Sequence, residues 1–428
     1  MTAGPIVAAV AAVALLAPAN HNPPVQHDEQ ISYQRFETFR DWRSGTSAGT
    51  VAIPALRPYL TIARATGSTE YAGKNWEYAS WTSPVRSARG ASQLVASWNA
   101  DTPAGTWLQV ELQGTYTNGH PTPSYVMGRW AKGDGDIQRT SVNDQSDEVS
   151  SIDVDTFKID NPPAGVLLAD YRLKVTLYRT PGSHRQPRVY EVGAMASNVP
   201  DRFTVPASAG HIAWGRELAV PRYSQNIHEG QYPQYDGGGE AWCSPTSTEM
   251  VVEYWGRHPS PADLAWVDPS YADPQVDQAA RSTYDYAYEG AGNWPFNTAY
   301  AATYGLKGIV TRLHSLDEVE RFIAAGIPVI TSQSFLASEL TGANYSTSGH
   351  LFVIVGFTAT GDVVVNDPAS HDDNAVRNVY QRTEFENVWL RTKRYRADGS
   401  IGSANGGIVY LISPVWKQWP RVPGSDNW

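Results

Sequence analysis

Along the first half of the chain, apolar residues return at every second position in short runs. In TWLQVELQG, Leu108, Val110 and Leu112 alternate with Gln109, Glu111 and Gln113. In YRLKVTLYR, Leu173, Val175 and Leu177 alternate with Arg172, Lys174 and Thr176. Successive strand side chains point to opposite faces, so each run predicts a half-buried antiparallel strand. Turn-forming stretches separate the runs: TNGHPTPS, KGDGD, NPPAG and TPGSH. Several short strands between such turns predict a β-sandwich or jelly roll over 31–205. The pattern changes after a linker near Thr204 to His211, where helical spacing takes over. In SLDEVERFIAAG, Ser315 stands three residues before Glu318, Val319, Phe322 and Ile323 form a stripe, and Gly326 follows. That order predicts a capping box, a buried helix face and a C-terminal stop. The apolar runs IPVITSQSF, HLFVIVGF, DVVVND and GGIVYLIS come next. Residues 212–424 therefore read as a mixed unit, helices early and a sheet late, and the whole chain as α+β.

A length of 428 residues is ample for more than one buried core. Apolar residues make up 41% of the chain against 18% charged, which is the balance of a globular protein. A formal net charge of −10 repels phosphate backbones and argues against a nucleic-acid partner. Trp76, Trp81, Trp98, Trp107 and Trp130 either fill the core of the β unit or line a sugar-binding face, and the core is the commoner use. At the start of the chain, Ile6 to Leu16 form an apolar run too short to span a bilayer. Ala17-Pro18-Ala19 follows as a small-x-small cleavage pattern, although a basic segment in front is missing. The profile predicts a signal peptide over 1–19, a polar lead-in over 20–30, and a secreted or envelope-associated product. No later segment is a transmembrane candidate. There is no P-loop, GxGxxG, HExxH or CxxC, and the acidic stretch SHDDNAVRN lacks the spacing of a calcium loop, so no cofactor or metal is expected.

Export sharpens the question posed by Cys243, the one cysteine of the chain. A lone thiol dimerises, sits inert in a core, or acts as a nucleophile. In GGGEAWCSPTSTEMVVEYWG, Ser244 is a cap candidate, Pro245 suits the first helical position, Thr248, Val251, Val252 and Trp255 share a face, and Gly256 closes the run. Cys243 thus falls at or just before a helix N-terminus, where free N–H groups and the helix dipole favour a thiolate and can hold an oxyanion. A base and an orienting group stand in SGHLFVIVGFTATGDVVVNDPAS: His350 opens one apolar strand and Asp367 ends the returning one. An antiparallel hairpin makes those two positions neighbours, and a carboxylate on one imidazole nitrogen leaves the other to take a thiol proton. Three glutamines ahead of the cysteine, Gln225, Gln231 and Gln234, are candidate oxyanion donors.

Taken together, VPRYSQN, WCSPTSTEMVVEYWG, GHLFVIVGF and VNDP resemble the C39-like cysteine peptidases of the papain-like superfamily, in their secreted bacterial branch. The resemblance runs from about Val220 to Ser413. It implies a papain-like α+β domain with Cys243 as nucleophile, His350 as base, Asp367 orienting the histidine and Gln225 as oxyanion donor. The preceding β unit looks like the domain found in front of such peptidases in actinobacterial exported proteins. The family usually has Cys-Gly-Pro where this chain has Cys243-Ser244-Pro245. Members fused to transporters cut leader peptides after double glycine; without a membrane domain or ATPase, that substrate does not carry over. The reading is a secreted cysteine peptidase acting on peptide or protein, with cell-wall peptide as one candidate substrate, through a thioester acyl-enzyme. Two alternatives stay open: an amidase or transglutaminase-like acyl transferase on the same nucleophile, and a binding protein whose triad is idle.

Overall fold

The computed structural model describes residues 29–160 and 165–428. The predicted signal peptide and residues 20–28 of the lead-in lie outside the described residues; Gln30, assigned to the lead-in, already opens the strand Gln30–Phe36.

The first half builds two seven-stranded sheets. One runs in the order Ser150–Asp153, Thr156–Ile159, Gln93–Asp101, Arg188–Asn198, Tyr59–Ile62, Thr50–Ile53, with Gln30–Phe36 also on Arg188–Asn198. The other centres on Leu168–Arg179 between Thr106–Tyr116 and Lys74–Thr82. The alternation explains the pairing: Leu108, Val110 and Leu112 lie opposite Leu177, Val175 and Leu173, and all six side chains are buried. They join one apolar cluster with Leu94, Ala96, Trp98, Val192 and Ala194 of the first sheet. All five tryptophans singled out from the sequence are at most 2% exposed, which removes them as a carbohydrate-binding face.

The second half holds one six-stranded antiparallel sheet, ordered Leu306–Arg312, Ile408–Pro414, Val329–Phe335, Thr347–Phe357, Val363–Asn366, Arg377–Tyr380. Helices Cys243–Tyr254, Pro274–Thr283 and Trp294–Ala302 precede it, Leu316–Ala324 lies between its strands, and Arg382–Leu390 comes later than the helix-first pattern predicts. The helix after Ser315 forms without its capping box. The Ser315 side chain makes no cap bond, and Glu318 instead accepts from the His314 N–H at 2.8 Å. A tertiary carboxylate has taken over the end, because Glu386 accepts the Leu316 N–H at 2.7 Å. The stop is as expected: Gly326 has φ +76°, and the Gly326 and Ile327 N–H groups bond back to Ile323 and Phe322.

The halves are joined through buried polar contacts. The edge strand Leu306–Arg312 meets the strand Gln93–Asp101 of the first half. There the Asn99 side chain accepts from Gly308 N at 2.8 Å and donates to Gly308 O at 3.1 Å, and Ser97 Oγ accepts from Val310 N at 2.9 Å. Side chains thus serve backbone groups that a neighbouring strand would otherwise serve. Buried Arg139 donates to the Arg281 carbonyl at 2.7 Å across the same boundary. Phe296 packs edge-on against Trp98, with 6.1 Å between ring centroids. Among the described residues no helix is long and apolar enough to cross a membrane.

Candidate active site

The stretch around Cys243 winds in two stages. A short 3₁₀ turn, Gly239–Ala241, runs directly into the helix Cys243–Tyr254. The chain is therefore already helical at the cysteine, the helix starts earlier than the sequence predicts, and Ser244 does not cap it. Trp242 occupies the cap position with no side-chain cap bond, Pro245 is the third helical residue, and Ser244 Oγ pairs with the Tyr410 hydroxyl at 2.9 Å. Cys243 is a free thiol on the first helical residue and partly exposed. The far end closes as expected, with Gly256 at φ +66° and the Arg257 N–H returning to Val252 O. One turn in, Ser247 Oγ donates to the Leu351 carbonyl at 3.2 Å, which fixes the helix beside the histidine strand.

His350 lies in Thr347–Phe357, paired with Val363–Asn366 in a register that sets Val353 opposite Asn366. Asp367 follows that strand, so its side chain falls on the face that carries His350. His350 Nε2 and Asp367 Oδ1 are 2.9 Å apart. The carboxylate also accepts from the Tyr345 hydroxyl at 3.0 Å, the Tyr380 hydroxyl at 2.9 Å and the Ala369 N–H at 3.0 Å. Four donors on one buried group satisfy a charge that would otherwise be costly to bury. The His350 ring is only 4% exposed. Burial alone would lower its pKa, but the neighbouring Cys243 sulfur and the Asp367 carboxylate outweigh burial and raise it to about 10. With Nε2 on the aspartate, Nδ1 is the nitrogen left for the sulfur.

The three glutamines separate by position. Gln225 lines the cleft with Cys243 and His350; Gln231 Oε1 accepts from His228 Nδ1 at 3.0 Å, away from it; Gln234 is exposed on the loop. Gln225 Nε2 donates to the Glu240 carbonyl, and as a primary amide it keeps a second N–H. Its loop is clamped to the turn after Asp367: Gln225 N bonds Pro368 O, Ser224 N bonds Asp373 at 2.7 Å, and Asn226 Nδ2 bonds Ala369 O at 2.8 Å. Asp373, in the acidic stretch SHDDNAVRN, is thus engaged by backbone. The glycine lead-in serves this loop as well. A Cβ on Gly239 would lie 2.2 Å from the Gln225 carbonyl oxygen, so no larger residue lets the two segments approach.

These residues open into a cleft of about 1070 Å³. Its walls include residues that no local sequence pattern pointed to: Asp155 and Val154 of the first half, Tyr288, Trp294 and Asn405. Asp155 accepts the Trp294 N–H at 2.7 Å and the Thr156 hydroxyl at 2.8 Å. Burial is the main reason that its pKa rises, to about 7; those two bonds offset it only in part. Tyr345 and Tyr380 were equally invisible, being ordinary tyrosines in sequence. The arrangement can generate a thiolate, present it beside helix N–H groups, and supply a proton from an imidazolium.

Residues 217–397 match the model of the Peptidase C39 like family, and residues 32–197 match that of the Peptidase C39 N-terminal domain. No curated protein matches the chain. Among solved structures, a Bacillus anthracis protein described as a C39-like peptidase aligns over 46% of this chain and 97% of its own, at 19% identity and a TM-score of 0.27. A structure of infectious bursal disease virus, Gx strain, aligns over 43% of this chain and 36% of its own, at 14% identity and a TM-score of 0.17. At those scores neither superposition bears on the site.

Proposed function

The chain belongs to the C39-like peptidases and carries their N-terminal domain in front, and from that premise we propose that it is a cysteine peptidase working through Cys243, His350 and Asp367. The observation that carries the proposal is the His350 ring bonded to the Asp367 carboxylate, with the Cys243 sulfur beside it at the wall of an open cleft. His350 takes the proton of the Cys243 thiol, which gives a thiolate beside an imidazolium. The sulfur attacks a peptide carbonyl, and Gln225 together with the helix N-terminal N–H groups receives the oxyanion. As the C–N bond breaks, the imidazolium gives its proton to the leaving amine. Water, deprotonated by the now neutral ring, hydrolyses the thioester and restores the pair. Asp367 holds the ring in place and stabilises its charged form. The six-stranded sheet with the nucleophile helix against it is the papain-like core in this reading, and the two sheets of the first half are a β-sandwich. The signal-peptide pattern over 1–19 supports export in this reading.

The test is the rate of Cys243 alkylation by iodoacetamide from pH 4 to 9, in the wild type and in His350→Ala. Fast alkylation well below pH 7, lost in the variant, is expected of a histidine-paired thiolate. Slow alkylation that follows an ordinary thiol near pH 8.5 in both proteins would instead mark an idle site. Cys243→Ala should abolish peptide hydrolysis.

A further inference from the structure

The cleft has a wall that the bond-breaking residues do not require, and it comes from the first half of the chain. Strands Ser150–Asp153 and Thr156–Ile159 pair antiparallel with Asp153 opposite Thr156, so Val154 and Asp155 form a two-residue turn. Both line the cleft that holds Cys243. Such turns place their first central residue at positive φ, where glycine, asparagine or aspartate is usual. Here it is Val154 at φ +56°. A β-branched residue in the left-handed region is an outlier that costs on the order of 1–3 kcal/mol and persists only where its surroundings over-determine it.

Those surroundings are on hand. Asp155 is bonded at 2.7 Å to the Trp294 N–H, at the first turn of the helix Trp294–Ala302. The turn is therefore fixed to the second half and cannot relax by swinging away. Trp294 lines the cleft beside it. So does Tyr288, an aromatic that stays 47% exposed. Its ring lies against the Gly290–Gly292 backbone, where a Cβ on Gly290 would stand 2.5 Å from it. Glycine at 154 would make the same turn without strain, and a polar residue would suit a solvated one. A branched apolar side chain held at this conformation, lining the same cleft as two aromatics that water still reaches, gains from a partner that covers it.

We propose that Val154, Trp294 and Tyr288 form an apolar subsite for a substrate side chain, so that the N-terminal half reads the peptide that Cys243 attacks. The proposal rests on the peptidase reading above. It names the substrate class as a peptide with a bulky aliphatic or aromatic residue close to the scissile bond.

The test uses the full chain and three thiol probes: iodoacetamide, a peptidyl vinyl sulfone with Leu beside the reactive group, and its counterpart with Asp. The wild type should react with the Leu probe at least tenfold faster than with the Asp probe. Val154→Asp should lose about 10–100-fold on the Leu probe, the range for a lost apolar contact in a specificity pocket. Val154→Gly, which relieves the backbone, should lose several-fold on the Leu probe while its Tm holds or rises. Iodoacetamide should alkylate all three proteins alike. Equal rates with the two peptidyl probes, or a Leu-probe rate that Val154→Gly and Val154→Asp leave unmoved, would overturn the subsite while leaving the thiolate reading intact. Slow alkylation of the wild type by iodoacetamide would strike at the thiolate reading itself.

Discussion

Asp155→Asn isolates a single buried carboxyl at the junction of the two halves. Burial raises its pKa from 3.8 to about 7 in the fold. A group that holds its proton more tightly when folded stabilises the fold fully below its unfolded pKa and loses that contribution as pH rises through the folded value. The rise is about three pH units at ~1.4 kcal/mol each, so up to about 4 kcal/mol is lost between pH 4 and pH 7.5. Asparagine keeps an acceptor oxygen for the Trp294 N–H and cannot titrate. Urea denaturation at half-unit steps from pH 4 to 8 should show the wild type losing about 4 kcal/mol relative to Asp155→Asn across that window, with the steepest divergence between pH 4 and 7. The other titrations of the chain are common to both proteins and cancel. Parallel profiles would refute the reasoning, since they would mean that the carboxyl stays ionised in the fold despite its burial.

Gln225→Ala should lower kcat for peptide hydrolysis by about 10²–10³ through loss of an oxyanion donor, with iodoacetamide alkylation of Cys243 retained; Gln231→Ala, which touches His228 instead, should cost far less, and equal losses would reverse the assignment. Tyr380→Phe removes one donor from the Asp367 carboxylate and should cost ~1.5–3 kcal/mol in denaturant unfolding, the range for a hydrogen bond to a charged group. Asn99→Ala strands both backbone groups of Gly308 and should cost about 3 kcal/mol, at ~1–3 kcal/mol for each buried orphan; faster amide exchange at Gly308 would locate the loss.

What could be read from the sequence was what is local. Period-two runs put Leu108, Val110 and Leu112 on a buried face because alternation is a property of the strand itself. Cys243 stood out through its immediate neighbours, and His350 and Asp367, 17 positions apart, through the geometry of one hairpin. Ser315 shows where local rules fail: its capping box is a sound pattern, but Glu318 is taken by the His314 N–H and Glu386, some seventy positions away, serves the helix end at the Leu316 N–H. Ser244 failed for a nearer reason, since the turn at Gly239–Ala241 had already wound the chain. Gln225 could not be told from Gln231 and Gln234 because what distinguishes it is the loop clamped beneath Asp367. Asp155 and Val154 were beyond reach altogether: they matter only because a different half of the molecule folds against them.

The amide of Asn99 treats Gly308 as a neighbouring strand would, and this bears on the order of events during synthesis. Strand Leu306–Arg312 would otherwise present unpaired backbone to any extended chain it met. The residues that cover it are complete some two hundred positions before it is made, and early segments generally fold first. The half that closes the edge is thus waiting when the edge appears. In this chain the domain order itself serves as a built-in chaperone.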